Sequence, residues 1–317
     1  MIKIYFMFVL DKIKAKPFLK WPGGKSQLLD DILPIVDGAI GNDDRFIYVE
    51  PFVGGGAMLF EVLSKYGDRI DCAVINDLNS DLINCYKVIQ DDSDFIRLKE
   101  LLKDYESRYN VSPDKKSFYL ELRTSWNSDR NVKSKAEMAA MFISLNKLCF
   151  NGIWRVNSKG EFNVPWNQCN FVKLFDEENL DNCHRLLSKV IILSGDFELT
   201  DVAFTLSDIL STDVIFYFDP PYRPVSKTSS FTGYTKECFD DSQQERLKLF
   251  CDRINTKNFA FVLSNSKSED YFEELYMDYN IRCVKARRSI NSVGEGRGKV
   301  DELLIANRNV PSTFALF

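Results

Sequence analysis

The chain is poor in the residues that enzymes most often use to bind zinc or to move protons. It has one histidine, His184, and its eight cysteines form no C-x-x-C pair. Neither a zinc site nor a histidine base is therefore expected, and no metal cofactor is predicted. His184 lies in a polar, helix-like stretch at residues 177–188 and is predicted to be a surface residue. No Pro-Cys dipeptide occurs, so the thiolate nucleophile of cytosine C5 methylation is not visible.

Long apolar runs are also missing. The longest, at residues 4–10, is too short to span a bilayer and lacks the basic start and the cleavage site of a signal peptide. We therefore expect a cytoplasmic protein with no membrane partner. With 317 residues, of which 45% are hydrophobic, the chain can bury a large core and is expected to form one large domain with a second one inserted or appended.

Negative charge prevails overall, with a net charge of −5, but positive charge is concentrated in two segments. Residues 115–159 contain nine Lys or Arg and three acids, and residues 282–299 contain six Lys or Arg and one acid. Such local excesses can bind phosphates although the whole chain is acidic. Two basic surfaces are therefore expected.

Strand and helix patterns alternate along most of the chain. Strand patterns occur at residues 46–50, 70–75, 190–193, 214–218, 259–263, 281–284 and 302–305, with helical patterns at 27–33, 57–65 and 242–255. Between about residues 80 and 189 the pattern changes to amphipathic helices, at 81–89, 94–109, 116–126 and 135–147. We therefore predict a Rossmann-like α/β sheet that a helical insertion interrupts.

A tetrapeptide with candidate catalytic groups follows the apolar strand at residues 214–218. It consists of Asp219, Pro220, Pro221 and Tyr222, and it lies where open α/β sheets place their active sites. Proline restricts its own φ and the residue before it, so Asp219 and Pro220 are expected to be extended. The carboxylate of Asp219 and the carbonyl of Pro220 give two acceptors beside the ring of Tyr222. These four residues can hold a planar amine and are the catalytic candidates.

A glycine-rich turn, residues 50–56, follows the first strand. The dinucleotide pattern G-x-G-x-x-G fails because Leu59 occupies its third glycine position, which disfavours a nicotinamide oxidoreductase. A loop with few side chains lets the backbone approach a ligand without phosphates, and Glu50 can hold an ammonium or lie beside a sulfonium. Asp77, at the tip of the second strand, is placed to accept two ribose hydroxyls. These features fit S-adenosylmethionine.

Asp196 and Phe197 follow the third strand in the way that Asp77 follows the second. The carboxylate of Asp196 could accept a hydrogen bond from the exocyclic amine of an adenine while Phe197 stacks on its ring. A plain turn at the strand end is the open alternative.

Several segments, in this order, resemble the Dam-type DNA adenine methylases, which are N6-adenine-specific DNA methyltransferases of the D12 class with the alpha motif order. They are residues 18–25, 50–56, 76–77, 145–152, 160–165, 219–222, 287–290 and 299–304. The resemblance implies a seven-stranded sheet that binds S-adenosyl-L-methionine and an inserted helical target-recognition domain. The catalytic domain would comprise residues 1–79 and 190–317, and the insertion residues 80–189.

The resemblance also implies the residues that hold the methyl donor. Its pocket would be lined by Trp21, Lys25, Asp77 and Asp219, with a glycine wall formed by Phe52, Gly54 and Gly56. Glu50, Asp196 and Phe197 complete the predicted cofactor site on the arguments above.

Double-stranded DNA is the implied partner, with GATC as the expected site. The residues expected to bind it are Lys20, Lys147, Phe150, Asn151, Ile153, Arg155, Pro165, Arg287 and Arg288. Lys20 and Arg155 would touch bases, and the fork of an arginine matches guanine O6 and N7. Phe150 replaces a tyrosine that wedges between bases in the family pattern, and Ile153 replaces a leucine. The wedge therefore keeps its apolar surface and loses a hydroxyl. Lys147 replaces an arginine, which keeps the charge and loses bidentate geometry.

The expected mechanism starts with base flipping because adenine N6 is out of reach inside a duplex. Phe150 would fill the gap, Tyr222 would stack on the extruded adenine, and Asp219 and Pro220 would accept the N6 hydrogens. Methyl transfer would then be a direct displacement. Open alternatives are a cytosine N4, RNA or protein methyltransferase, and a non-catalytic DNA-binding regulator. Restriction-modification, housekeeping and phage roles are all compatible with these residues, and a monomer associated with the nucleoid is expected.

Overall fold

A computed structural model describes residues 13–21, 25, 28–40, 44–223, 239–287 and 299–308. Seven strands form one sheet: β1 (Phe46–Glu50), β2 (Ile70–Ile75), β3 (Val190–Ile192), β4 (Asp213–Phe218), β5 (Ala260–Ser266), β6 (Asn280–Arg287) and β7 (Lys299–Ala306). Their order is β3-β2-β1-β4-β5-β7-β6. β7 runs antiparallel to both neighbours, and the other pairs are parallel. The predicted seven-stranded Rossmann-like sheet is confirmed.

Both faces of the sheet are covered, which is why its central strands read as continuous apolar runs. All five residues of β1 are buried, and the first four alternate between two apolar clusters. Phe46 and Tyr48 belong to one cluster, and Ile47 and Val49 to the other, as the two-residue period of a strand requires. The first cluster continues into the helices that connect β2 to β3. The sheet and this helical segment therefore share one apolar core, and the domain limits given above stay a prediction.

Ten α-helices occur in the described ranges: α1 (Leu29–Ala39), α2 (Ala57–Tyr66), α3 (Ser80–Gln90), α4 (Asp92–Val111), α5 (Lys115–Ser128), α6 (Lys135–Leu148), α7 (Glu177–Leu187), α8 (Val202–Leu210), α9 (Asp241–Thr256) and α10 (Tyr271–Leu275). The helices α3 to α6 each begin at a side-chain cap, from Asn79, Asp91, Asp114 and Ser134 respectively. These caps explain why the predicted helices of the insertion begin so close to the observed ones. None of the helices described is long and apolar enough to cross a membrane.

The first helix is longer than predicted. It was expected to end at residue 33, before Pro34, but α1 continues to Ala39. Its buried side chains Ile32, Ile35 and Val36 continue the apolar stripe past the proline, so burial offsets the lost backbone hydrogen bond. The helices α8 and α10 were not predicted.

His184 contacts residues of three helices and is partly buried, whereas a surface position was predicted. Its side chain is 24% exposed, and its ring stacks on Phe95 with centroids 4.3 Å apart. Nδ1 lies 2.6 Å from the carbonyl oxygen of Ile89, and Nε2 lies 3.2 Å from a carboxylate oxygen of Asp92. The histidine therefore has a packing role between α7 and the helices α3 and α4.

Candidate active site

Three acids meet at the carboxyl ends of adjacent strands. Glu50 ends β1, Asp77 follows β2 and Asp219 follows β4. Because β1 lies between β2 and β4 and all three run parallel, these tips share one edge of the sheet. That edge is where open α/β sheets bind their ligands. The predicted cofactor and catalytic residues are thus brought together there.

The turn after β1 requires glycine. Gly54 and Gly56 adopt positive φ angles of 48° and 76°, which L side chains rarely adopt. A Cβ at Gly54 would lie 3.0 Å from Cδ1 of Trp21, and one at Gly56 would lie 2.5 Å from the hydroxyl of Tyr86. The loop is therefore a close-fitting backbone surface, with the predicted residue Trp21 lying against it.

Asp77 is oriented by the backbone of this loop. Its Oδ2 accepts from the N–H of Gly54 at 3.0 Å, and its Oδ1 accepts from the N–H of Asn79 at 2.9 Å. Burial raises the pKa of the Asp77 carboxyl, while these backbone donors act in the opposite direction. The carboxylate is thus held in a fixed orientation at the strand tip.

Glu50 is a buried carboxylate. It is 2% exposed, and its Oε2 accepts from the hydroxyl of Tyr48 at 3.0 Å. Burial raises the pKa of Glu50 well above its ordinary value, and the neighbouring carboxylates of Asp219 and Asp77 raise it further. Among the residues described, no lysine or arginine forms an ion pair with it. A cationic ligand would remove this electrostatic cost.

The two predicted residues after β3 make more contacts within the protein than the sequence indicated. Asp196 caps the short helical turn Phe197–Asp201 through the N–H of Glu198, and its two oxygens each lie 3.1 Å from the guanidinium of Arg246. Phe197 is 4% exposed, and its ring centroid lies 5.5 Å from that of Phe52. Sequence reasoning missed Arg246. The adenine-binding role of Asp196 and Phe197 stays a prediction.

At the tip of β4, several polar groups lie close to the ammonium group of Lys25. Its Nζ lies 2.8 Å from Oδ1 of Asp219 and 3.9 Å from Oε2 of Glu302. The ammonium also donates to the hydroxyl of Tyr222 and lies 4.6 Å from the centroid of that ring. Lys25 is 5% exposed, so the cluster is buried on the lysine side. No group of three or more His, Cys, Asp or Glu suited to a metal ion occurs within the described ranges.

The two oxygens of Asp219 differ in their surroundings. Oδ1 faces Lys25, and the hydroxyl of Ser264 donates to it at 3.4 Å. Oδ2 takes part in no hydrogen bond within the described part of the chain. Burial raises the pKa of Asp219, whereas Lys25 and then Ser264 lower it. After Pro220, which is buried, the carbonyl of Pro221 accepts from Nε2 of Gln244 at 3.3 Å, which helps to fix the tetrapeptide backbone.

Residues 150–153, which are predicted to contact DNA and are called the DNA-reading turn, follow α6. Phe150 is 52% exposed, and its N–H donates to the carbonyl of Pro165 at 2.8 Å. Asn151 has a φ of 56°, in the left-handed region that asparagine tolerates. Ile153 is half-buried and packs against the core beneath the turn. The turn therefore presents an exposed aromatic ring on an anchored backbone.

Predicted cations lie beside this turn. Nε of Arg155 donates to Oδ1 of Asn163 at 2.9 Å, and no other hydrogen bond of that guanidinium occurs among the described residues. Burial lowers the pKa of Lys147, and repulsion from Lys20 lowers it further. Arg288 and the side chain of Arg287 lie outside the described residues.

Much of the positive charge of residues 115–159 serves the fold. Lys115 donates to three backbone carbonyl groups at the end of α4, Arg123 donates to the carbonyl of Val164, and Arg130 pairs with Asp81. The excess counted from the sequence therefore overstates the charge that faces a ligand.

Four polar residues of the site were given no role at the sequence level: Asn76, Asn146, Ser264 and Glu302. Asn76 is 1% exposed, and its Nδ2 donates to the carbonyls of Pro51 and Gly195, which ties the tips of β1 and β3 together. Asn146 is fully buried at the end of α6. Asn76, Asn146 and Glu302 lie in segments that carry the family resemblance, and that signal could have singled them out; Ser264 lies in an apolar run.

The strand order and the helices on both faces define a Rossmann-like α/β fold of the methyltransferase type, with an acid-lined edge. The family model of D12 class N6 adenine-specific DNA methyltransferases matches residues 21–290. The chain belongs to this family. Membership implies S-adenosylmethionine as the methyl donor and DNA as the substrate.

Three similar proteins match over nearly the whole chain. It is 43% identical over 298 residues to the Type II methyltransferase M.MjaIII of Methanocaldococcus jannaschii, which covers 93% of this chain and 100% of the relative. It is 38% identical over 300 residues to the Type II methyltransferase M1.LlaDCHI of Lactococcus lactis subsp. cremoris, covering 94% and 97%. It is 30% identical over 293 residues to the DNA adenine methylase of Haemophilus influenzae, covering 92% and 94%.

Proposed function

We propose that this chain is a site-specific DNA adenine methyltransferase that methylates N6 of a flipped-out adenine in double-stranded DNA, within GATC. The observation that carries the proposal is the asymmetry of Asp219. Lys25 and Ser264 hold one oxygen, and the other makes no hydrogen bond in the described part of the chain. An oriented carboxylate with an unused acceptor beside the ring of Tyr222 suits a planar exocyclic amine.

The neighbouring strand tips fit S-adenosyl-L-methionine. Glu50 is a buried carboxylate that suits the positive charges of this ligand, and the fixed carboxylate of Asp77 suits ribose hydroxyls. The pocket would be completed by Trp21, Lys25, Phe52, Gly54, Gly56, Asp196 and Phe197. When bound, the cofactor supplies an electrophilic methyl group.

The residues of the tetrapeptide orient the substrate amine. Oδ2 of Asp219 and the carbonyl of Pro220 would accept the two N6 hydrogens, which would draw the nitrogen towards a tetrahedral geometry and make its lone pair available to the methyl group of the bound donor. The N6 proton would leave through Asp219 or to solvent. Lys25 favours the ionised form of Asp219 by lowering its pKa against the effect of burial. Asp219 is therefore an orienting acceptor rather than a strong general base.

The turn after α6 supports the choice of a duplex substrate. Phe150 is an exposed ring on a backbone that Pro165 anchors, which suits insertion into the gap that a flipped base leaves. Arg155 has both terminal nitrogens available within the described part of the chain, and these match O6 and N7 of a guanine. Lys20 and Lys147 add positive charge beside the turn. The GATC assignment rests on the resemblance of residues 145–152 and 160–165 to the Dam-type enzymes.

The test is transfer of a tritiated methyl group to a GATC duplex, followed by analysis of the labelled nucleoside. We expect N6-methyladenine from the wild type and no transfer from Asp219→Ala. Asp213→Ala, at the exposed opposite end of β4, is the matched control and should retain activity. Label in N4-methylcytosine would favour a cytosine N4 enzyme, and turnover by Asp219→Ala would refute the mechanism. Protection of a methylated plasmid from GATC-cutting endonucleases tests the site.

A further inference from the structure

Asn146 holds two segments of the chain with one side chain. It lies in the last turn of α6 and is fully buried. Its Oδ1 accepts from the N–H of Lys20 at 3.0 Å, and its Nδ2 donates to the carbonyl of Lys20 at 2.8 Å and to that of Gly152 at 2.9 Å. Both amide hydrogens and the amide oxygen are thus engaged. A buried amide with all these bonds fixes the relative position of Lys20 and Gly152.

Through Lys20, Asn146 is linked to the glycine-rich turn after β1, where the methyl donor is proposed to bind. Trp21, which follows Lys20, lies against the glycine-rich turn: a Cβ at Gly55 would be 2.8 Å from Cβ of Trp21. The indole of Trp21 also stacks on Phe142, with ring centroids 6.3 Å apart. Phe142 lies one turn before Asn146 on α6. A shift of the glycine-rich turn would therefore be transmitted through Trp21 to the end of α6 that carries Asn146.

Through Gly152, Asn146 is linked to the DNA-reading turn. Gly152 follows Phe150 and Asn151 and has a φ of 65°. A Cβ at Gly152 would lie 2.6 Å from Cβ of Lys20, so the turn and the stem of Lys20 are in direct contact. Neither can move far without the other, because tightly packed groups have no space for independent shifts.

We propose that Asn146 is a positioning residue that couples methyl-donor binding to DNA recognition. It makes no contact with either ligand and acts through the backbones of Lys20 and Gly152. Occupation of the pocket beside Trp21 stabilises the placement of the Phe150 turn that the duplex requires, and by linkage DNA stabilises the pocket equally. The inference depends on the proposed function for the identity of the two ligands.

The test measures the affinity for a GATC duplex with and without sinefungin, an unreactive analogue of S-adenosylmethionine. For the wild type we expect sinefungin to tighten DNA binding by about 5-fold or more. Asn146→Asp has the same shape but replaces both donated hydrogen bonds by a carboxylate oxygen facing two carbonyls. It should reduce this factor to about 1, while sinefungin binding without DNA changes by less than about 3-fold.

Asn179→Asp is the matched control. Asn179 on α7 grips the backbone of Lys16 in the same bidentate way, at 2.8 and 3.0 Å, and has no bond to the DNA-reading turn. It should keep the wild-type coupling factor. Gly152→Ala disturbs the same contact from the other side and replaces Asn146→Asp if that variant does not fold.

The outcomes separate the two claims. A wild type without coupling, or wild-type coupling in both Asn146→Asp and Gly152→Ala, overturns the inference even if adenine is methylated. Loss of coupling in these variants but not in Asn179→Asp supports it. A wild type that neither binds sinefungin nor methylates adenine refutes the proposed function itself.

Discussion

Nζ of Lys25 lies 2.8 Å from Oδ1 of Asp219, which joins the segment before α1 to the tip of β4. The side chains are 5% and 22% exposed, so the pair is largely shielded from water. Burial raises the pKa of Asp219, and Lys25 lowers it. The lysine therefore determines over which pH range the orienting acceptor carries its charge.

Lys25→Gln should shift the acidic limb of the methylation rate to higher pH. Without the ammonium, only burial and Ser264 act on Asp219, so its pKa rises and the carboxylate becomes protonated at a higher pH. At neutral pH we expect a loss of about 100-fold or more in rate, as when one preorganised electrostatic contact is removed. Single-turnover rates from about pH 5 to 9 give the profile.

Glu302→Gln provides the opposite change at the same lysine. Glu302 competes with Asp219 for the ammonium at 3.9 Å. Its neutralisation removes the second carboxylate beside Lys25 and should move the acidic limb to lower pH. Identical profiles for the two variants would contradict the role assigned to the lysine.

Glu50→Gln should stabilise the ligand-free protein and weaken cofactor binding. The pKa of Glu50 is raised in the folded state, so its contribution to stability is present below the unfolded pKa of about 4.3 and is lost as pH rises through the folded pKa. The glutamine removes this loss, so its Tm should exceed that of the wild type at pH 7, with the difference shrinking towards pH 4. Affinity for S-adenosylmethionine should fall by about 10- to 100-fold, since a charge-assisted contact is lost. Glu121→Gln, an exposed glutamate on α5, should change neither quantity.

Arg155→Ala should relax recognition at one guanine by about 1 to 3 kcal/mol. Asn163→Ala removes only the acceptor that orients Nε, so it should cause a smaller loss at the same base pair. Lys159→Ala, an exposed cation nearby, should weaken all duplexes equally. Rates on duplexes that differ at single base pairs give the discrimination, and an unchanged base preference in Arg155→Ala would rule out this contact.

Phe150→Ala should reduce base flipping, whereas Phe150→Tyr should preserve it. Stacking of an aromatic side chain is worth about 1 to 3 kcal/mol, so the flipped fraction should fall by about 5- to 150-fold in the alanine variant. The fluorescence of 2-aminopurine in place of the target adenine reports flipping. Phe171→Ala removes another exposed ring, at 75% exposure, and should leave the signal unchanged. A full signal from Phe150→Ala would contradict the wedge.

Sequence patterns predicted the sheet well because its strands are short apolar runs between turn residues. The limits predicted for β1 and β2 agree with the structure, since β1 is buried throughout, β2 is buried over its last three residues, and polar residues lie at the tip of each strand. The helix α8 was missed, although its segment is apolar and follows a turn with its own cap. The predicted end of α1 at residue 33 was too early, because burial of Ile35 and Val36 carries the helix past Pro34.

By itself, the sequence determined the fold class, the family resemblance and the chemically important strand tips, because each rests on residues that are neighbours along the chain. Only the tertiary structure decided which distant groups meet. It paired Lys25 with Asp219 and Glu302, placed Asn146 between Lys20 and Gly152, and used part of the basic charge internally. Such contacts depend on packing between segments far apart in the chain, and local spacing does not encode them.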